Sequence, residues 1–203
     1  MNSTILKSLL YPLSALTLTE KQCNHIMAPV ICTGLNQLHV SSKIPRKIVY
    51  GNDSEFGLGV TNLYHHQGTE RVATIVQHLQ QDSFTGKLLR TSIEAANIEI
   101  GSEHNIFQLP FATYSSFLTD CWIKDVWRYA REQNIHIDDQ VTYSLSGNSS
   151  DDPFIMDLCV ILGFKGNSLL KINRCRLYLQ VNTLQDIRAL NSLDFNEAYK
   201  VKK

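Results

Sequence analysis

Apolar residues recur at intervals of three and four positions along most of the chain, which is the pattern of amphipathic helices. The clearest stripe carries Leu89, Ile93, Ala96 and Ile100 on one face, and Gly101 follows it as a natural helix stop. Comparable stripes predict helices over residues 4–16, 19–38, 62–81, 85–100, 119–130, 153–162, 167–179 and from 183 onwards. The sequence therefore predicts a mainly α protein built from helical bundle halves.

One stretch in the first half of the chain departs from this helical pattern. Arg46–Tyr50 is rich in β-branched and aromatic residues, which favour a short strand, and the next four residues have the composition of a turn. Large apolar residues then alternate with Gly57 and Gly59, which allow a bulge or a close backbone approach. We expect a small β element near residues 46–60, with Leu58 filling the core beneath it.

An aromatic segment without a clear period separates the two halves. Residues 101–118 combine Pro110 with several aromatic side chains, which predicts an ordered loop lying on a core. We therefore expect one region at residues 1–101 and a second at residues 102–203. In the second region, residues 134–145 alternate well enough for two short strands or for an extended loop.

The charge balance gives no general argument for nucleic-acid binding. The chain has 19 Lys and Arg residues against 19 Asp and Glu residues, so its formal net charge is zero. Phosphate neutralisation needs a local surplus of cations, which one shared face could supply. The alternative is a set of solvated faces whose ion pairs each contribute about 0–1 kcal/mol. The candidate cations are Lys43, Arg46, Lys47, Lys87, Arg90, Lys171, Arg174 and Arg176.

Cysteine usage and hydropathy predict an intracellular protein, in the cytoplasm or the nucleus. The chain has five cysteines and no Cys-x-x-Cys spacing, so we expect reduced, mostly buried thiols. No basic-then-apolar leader is present, and no apolar run approaches the roughly 18–20 residues of a membrane span. We expect no membrane partner.

No motif for reactive chemistry has the spacing that its mechanism requires. The pair Asp138–Asp139 lacks the aromatic residue that stands two positions earlier in a polymerase palm, where aspartates hold magnesium ions. His65 and His66 are adjacent on a predicted helix and point about 100° apart, which does not suit one metal ion. Ser144 and Ser146 lack the Gly-x-Ser-x-Gly elbow of a serine hydrolase. We expect no catalytic residue, metal, cofactor or small-molecule substrate.

The run from Phe56 to Val60 resembles a signature that follows the palm in reverse transcriptases of non-LTR-type retroelements. In that family a short Gly-Gly-Leu-Gly-Ile segment precedes a helix in or just beyond the thumb, and Phe56 stands here in place of its first glycine. Gly57, Leu58 and Gly59 match the signature. Other segments resemble spaced motifs of one retroelement group and extend over nearly the whole chain: Tyr11–Leu13, Leu18–Pro29, Tyr64–Gly68, Thr85–Arg90, Ile172–Arg176 and Thr183–Ile187.

This resemblance implies a non-catalytic segment of a reverse transcriptase, with the thumb in the first half and a helical extension in the second. A thumb in that family holds the template–primer duplex, so the basic residues named above become expected nucleic-acid contacts, above all those at 43–47 and 87–90. The implied partners are an RNA or DNA duplex and the palm and fingers of the parent polymerase. The chain would be a separate reading frame, a truncated copy or a gene-model fragment that does not polymerise alone.

A second interpretation stays open. The chain could be a helical protein–protein interaction module, domesticated from such an element and without affinity for nucleic acid. A palm-coding sequence directly upstream favours the first interpretation, and an isolated, expressed gene favours the second.

Overall fold

The computed structural model describes Ser8, residues 10–137 and residues 152–192. Over this part of the chain it contains nine α-helices, one 3₁₀ turn and no β-strand, which confirms the mainly α prediction. None of these helices combines a bilayer-spanning length with the hydropathy that such a span needs. The helices are α1 (Glu20–Gln37), α2 (Arg46–Tyr50), α3 (Leu63–His78), α4 (Phe84–Ile100), α5 (Phe111–Tyr114), α6 (Trp122–Glu132), α7 (Ile155–Ile161), α8 (Asn167–Leu179) and α9 (Leu184–Ser192).

The chain divides into two compact units, Met1–Ile75 and Val76–Lys203. The boundary falls within α3, near its C-terminal end. The boundary predicted between residues 101 and 102 lies inside the second unit. It does so because Asn173 and Arg176 of α8 hydrogen-bond to the carboxyl end of α4 and tie the two segments together.

The prediction of a small β element near residues 46–60 is wrong. Residues 46–50 form one helical turn, in which the N–H groups of Ile48 and Val49 donate to the carbonyl of Pro45 at 2.9 and 3.3 Å. Proline is well suited to a helix start, and Val49 is fully buried, so packing overrides its β propensity. Of the second candidate, residues 134–137 form a turn followed by an irregular segment without strand pairing, and residues 138–145 lie outside the described residues.

The first unit is organised around the buried face of α1. That helix begins with the capping box of Thr19 and Gln22, in which each residue's backbone N–H donates to the other's side-chain oxygen. This reciprocal cap satisfies two donors that the helix start leaves open. One buried apolar cluster of this unit draws its residues from α1, α2, α3 and the segment before α1: Leu13, Cys23, Met27, Ile31, Leu35, Val49 and Leu63.

A buried amide fixes the segment that leads into α1. The side chain of Gln67, on α3, is 1% exposed and pairs with both backbone groups of Leu18. Its Oε1 accepts from the Leu18 N–H at 3.2 Å, and its Nε2 donates to the Leu18 carbonyl at 3.0 Å. Because both amide groups are paired, Gln67 is buried without the cost of an unsatisfied polar atom.

In the second unit, the structure confirms the prediction made from the clearest periodic stripe. All four inward positions predicted for α4 are buried, and Gly101 ends the helix with a φ of 71°. Trp127 of α6 is fully buried, and its Nε1 donates to the carbonyl of Leu109 at 3.2 Å. Val76 and Leu179, which lie within the predicted helices over 62–81 and 167–179, are exposed.

The cysteines are less buried than the sequence predicted. All five are free, but only Cys23 is buried. Cys32 and Cys175 are exposed, and Cys121 and Cys159 are half-buried. The expectation of mostly buried thiols is therefore wrong.

The carboxyl end of α4 is closed by a buried arginine from α8. Nη2 of Arg176 donates to the carbonyls of Ile98 and Glu99, each at 2.8 Å, and Nε donates to Oδ1 of Asn173 at 3.0 Å. A Cβ on Gly101 would lie 2.4 Å from Cζ of Arg176, so a glycine is needed beside the guanidinium. Burial lowers the pKa of Arg176 to about 10, which leaves the side chain charged at neutral pH.

We expect Arg176→Met to lower the free energy of unfolding by about 3 kcal/mol, because the half-buried carbonyls of Ile98 and Glu99 lose a charged donor. Urea denaturation followed by circular dichroism measures this change. Arg174→Met, at an exposed position on the same helix, is the matched control and should change stability by about 0.5 kcal/mol or less. Equal effects of the two substitutions would contradict the role of Arg176.

Candidate nucleic-acid interface

The segment Gly57–Val60 folds back over the carboxyl end of α2. The N–H of Leu58 donates to the carbonyl of Ile48 at 2.9 Å, and the N–H of Val60 donates to the carbonyl of Val49 at 3.1 Å. A helix of one turn cannot satisfy its own terminal carbonyls, so these donors must come from another segment. The glycine-containing segment therefore holds α2 in a fixed position within the first unit.

Two glycines make this backbone contact possible. A Cβ on Gly57 would lie 2.1 Å from the carbonyl carbon of Gly51, which no side chain can tolerate. Gly59 has a φ of 60°, and its N–H donates to the Gly51 carbonyl at 2.9 Å. Leu58, between them, packs against the apolar core of the first unit. The signature residues thus serve backbone geometry and packing.

Phe56 adopts a left-handed conformation, with a φ of 59°. Its side chain is 96% exposed, so burial does not offset the backbone cost. A left-handed conformation costs a residue with a Cβ about 1–2 kcal/mol. A glycine at this position would adopt the same φ angle without that cost.

A cleft of about 600 Å³ opens between α1, α2 and the start of α3. Two cations of α2, Arg46 and Lys47, line it together with one carboxylate, Glu20, so its charged side chains have a positive balance. Its lining residues are Glu20, Asn24, Ile31, Arg46, Lys47, Tyr50, Asn62 and His65.

Polar side chains of the cleft are positioned by local hydrogen bonds. Oδ1 of Asn62 accepts from the N–H groups of Tyr64 and His65 at 3.0 and 3.3 Å, which caps the start of α3. The Tyr50 hydroxyl donates to Oδ1 of Asn24 at 3.5 Å. Burial raises the pKa of Tyr50, although the nearby Arg46 cation opposes this shift, so the phenol remains a hydrogen-bond donor at neutral pH.

The cations of the cleft are separate from the ion pairs found elsewhere. Within the described ranges, the salt bridges join Lys87 to Asp82, Lys124 to Asp120 and Arg128 to Asp125. None of these pairs uses a residue of the cleft. Lys43 is also exposed, in the connection between α1 and α2. Three predicted contacts, at positions 43, 46 and 47, therefore lie in the first unit.

The two predicted contacts on α4 interact with their own surroundings. Lys87 lies 3.1 Å from the Asp82 carboxylate on the surface. Nη1 of Arg90 donates to the carbonyls of Leu79 and Gln81 at 2.7 and 3.1 Å, just beyond the end of α3. Arg90 thus satisfies the carboxyl end of a helix, which is a structural role that the sequence pattern did not indicate.

The three predicted contacts on α8 divide into two kinds. Lys171 and Arg174 are exposed. Arg176 is 3% exposed and donates to the backbone of α4, so its prediction as a nucleic-acid contact is wrong. The physical reason is helical geometry, because two positions along a helix turn the side chain by about 200°.

Sequence reasoning missed the uncharged polar part of the cleft. Tyr50, Asn24, Asn62 and His65 were not predicted as site residues, because residues 46–50 were assigned to a strand. A helical interpretation of this run places positions 46 and 50 on one face, at the i, i+4 spacing.

In the described part of the chain, no three His, Cys, Asp or Glu side chains lie close enough together to hold a metal ion. The Asp138–Asp139 pair and the candidate nucleophiles Ser144 and Ser146 lie outside the described residues.

Comparisons with protein-family models, with curated proteins and with solved structures find no match to this chain.

We expect Gly57→Ala to destabilise the first unit by about 3 kcal/mol, because the new methyl group would overlap the backbone of Gly51. Hydrogen exchange of the α1 amides measures the loss of stability in this unit. Ser54→Ala, at an exposed position of the same loop, is the control and should leave exchange unchanged. Unchanged exchange in Gly57→Ala would contradict the close backbone approach.

Phe56→Gly should have the opposite effect and stabilise the chain by about 0.5–1 kcal/mol. The gain is the relieved left-handed strain, reduced by the entropy that glycine loses on folding. Thermal unfolding measures it as a higher Tm. Phe56→Ala removes the ring but keeps the Cβ, so it should give no gain. If both variants shift Tm equally, the φ angle is not the cause.

Proposed function

We propose that this chain is the non-catalytic thumb and C-terminal region of a non-LTR-type retroelement reverse transcriptase, and that it contacts template–primer nucleic acid when joined to a palm. The observation that carries the proposal is the cleft beside the glycine signature, which places Arg46 and Lys47 next to uncharged hydrogen-bond donors. The resemblance of the spaced motifs to one retroelement group supports the same assignment.

The chemistry of the cleft suits a phosphate backbone. Arg46 can donate two parallel hydrogen bonds to phosphate oxygens, and Lys47 adds a point charge. Tyr50, Asn62 and His65 offer the kinds of polar groups that contact phosphate and sugar without reading base sequence. Contacts of this kind suit a surface that must follow a duplex of any sequence as it is copied.

Under this proposal, the glycine-containing segment Gly57–Val60 positions α2, the helix that carries the two cations. The Gly57–Val60 segment occupies the carboxyl end of α2, and the cations project from the same one-turn helix. Because a helix of five residues is not stable by itself, the glycine segment determines where the cations stand. The proposed role is to hold nucleic acid in place, in the cytoplasm or the nucleus, and no catalytic residue is assigned.

One observation favours the second candidate, a helical protein–protein interaction module. Ile161 and Leu162, at the end of α7, are 79% and 73% exposed, and Phe164 is also exposed. Exposed apolar groups that are close in sequence are a common feature of surfaces that another protein covers.

We expect the Arg46→Glu/Lys47→Glu variant to bind an RNA–DNA hybrid more weakly and with a smaller salt dependence. Each lost phosphate contact lowers the slope of log affinity against log salt by about 0.9, so two contacts lower it by about 2. Fluorescence anisotropy with a labelled hybrid, titrated from about 50 to 200 mM salt, measures both quantities.

The matched control is Lys21→Glu/Arg188→Glu, which makes the same charge change at exposed positions outside the cleft. Equal losses in the two variants would show a nonspecific charge effect and contradict the cleft assignment. Absence of binding by the unmodified chain at about 50 mM salt would overturn the proposed function.

A further inference from the structure

A long acid-free stretch follows α7 in a chain whose total charge is balanced. Between Leu158 and Gln185 there is no Asp or Glu, whereas four cations occur there. They are Lys165, Lys171, Arg174 and Arg176. Arg176 is directed into the protein, and the other three are exposed. The stretch therefore presents a surplus of positive charge that the composition of the whole chain conceals.

Two of these cations share one face of α8 with an aromatic side chain. Lys171, Arg174 and Tyr178 are spaced i, i+3 and i+7, which aligns them along the helix, and Tyr178 is 72% exposed. At a rise of 1.5 Å per residue, this exposed face extends over about 10 Å. Because α8 packs through Leu169 and Arg176 on its other side, the orientation of this exposed face of the helix is fixed.

The carboxylates that flank the stretch are committed to other contacts. Asp157 accepts hydrogen bonds from the Tyr114 hydroxyl at 3.1 Å and from the Glu103 N–H at 3.0 Å. Asp186 accepts from the N–H groups of Asn182 and Thr183 at 2.8 and 3.0 Å. Neither forms a salt bridge to Lys171 or Arg174 in the structure.

We infer that the exposed face of α8, formed by Lys171, Arg174 and Tyr178, binds single-stranded nucleic acid. The two cations contact consecutive phosphates, and the Tyr178 ring stacks on an unpaired base. An aromatic platform beside cations is the arrangement used for single strands, whose bases are free to stack, whereas a duplex keeps its bases stacked on each other. This site is distinct from the cleft of the first unit and takes a different form of nucleic acid.

A membrane surface fits the same face less well. A helix that lies on anionic lipid needs an apolar face between flanking cations. The exposed Ile161 and Leu162 belong to the end of α7 and the following turn. The exposed leucines of α8, Leu177 and Leu179, do not stand between its cations, which are aligned with an aromatic residue. The charge and the aromatic group therefore favour a nucleic acid.

Fluorescence anisotropy of the full chain with a labelled oligothymidylate of about 15 nucleotides tests this inference. We expect Tyr178→Ala to weaken binding about fivefold or more, and Tyr178→Phe to retain it, because the ring provides the stacking surface. Lys171→Glu/Arg174→Glu should lower the slope of log affinity against log salt by about 1.4.

Tyr11→Ala is the control for the ring, since Tyr11 is 90% exposed in the first unit, and Lys21→Glu/Arg188→Glu is the control for charge. Circular dichroism of each variant checks that α8 remains folded. The cleft variant Arg46→Glu/Lys47→Glu should still bind the oligothymidylate, which separates this inference from the proposed function.

Three results would overturn the inference. The first is no binding of oligothymidylate by the unmodified chain at about 50 mM salt. The second is an equal loss in the α8 variants and their controls. The third is binding to phosphatidylserine vesicles that depends on Lys171 and Arg174 without binding to the oligonucleotide, which would assign the face to a membrane.

Discussion

The carbonyl groups at the carboxyl ends of the helices must find donors outside their own helix, and this requirement organises both units. At α2 the donors are the N–H groups of Leu58 and Val60. Beyond the end of α3 the donor is Arg90, and at the end of α4 it is Arg176. Each connection joins segments separated in sequence, so closing a helix end also positions the helix. A fold made mainly of short helices depends on such links, because short helices have little stability alone.

This arrangement explains why buried structural residues and exposed basic residues alternate within the same short segments. In the segment Ile172–Arg176, Asn173 and Arg176 close the end of α4, whereas Arg174 is exposed. In the Thr85–Arg90 segment, a Cβ on Gly86 would lie 2.3 Å from the carbonyl oxygen of Gln81, so the glycine lets the first turns of α4 pack closely against the chain that precedes the helix. The motifs therefore position helices, and the exposed residues beside them are available for partners.

Local charge has more bearing on binding than the balanced total. The first unit gathers Arg46 and Lys47 beside hydrogen-bonding side chains in a cleft. The second unit separates Lys171 and Arg174 from nearby carboxylates that are hydrogen-bonded elsewhere. The cations of the cleft lie on α2 and the other two lie on α8, and buried contacts determine the orientation of both helices. A screened, salt-dependent attraction to phosphates is consistent with such local surpluses, even at zero net charge.

The sequence by itself determined the features that depend on neighbouring residues. The periodic stripe and glycine stop of α4 were predicted from such neighbours, and the N-cap at Thr19 and the reciprocal cap of Thr183 and Asp186 are likewise formed by residues a few positions apart. These local signals also identified the mainly α class. They were sufficient because helix periodicity and capping require no knowledge of distant contacts.

Only the tertiary structure decided the features that depend on distant contacts. The β-branched run at 46–50 became a helix because Val49 is buried and because a remote loop supplies donors to its end. Residues 174 and 176 are both arginines, yet Arg174 is exposed and Arg176 is buried against α4. Packing selects between such residues because burial of a guanidinium is tolerated only where partner carbonyls are already in place, and those partners lie far away in the sequence.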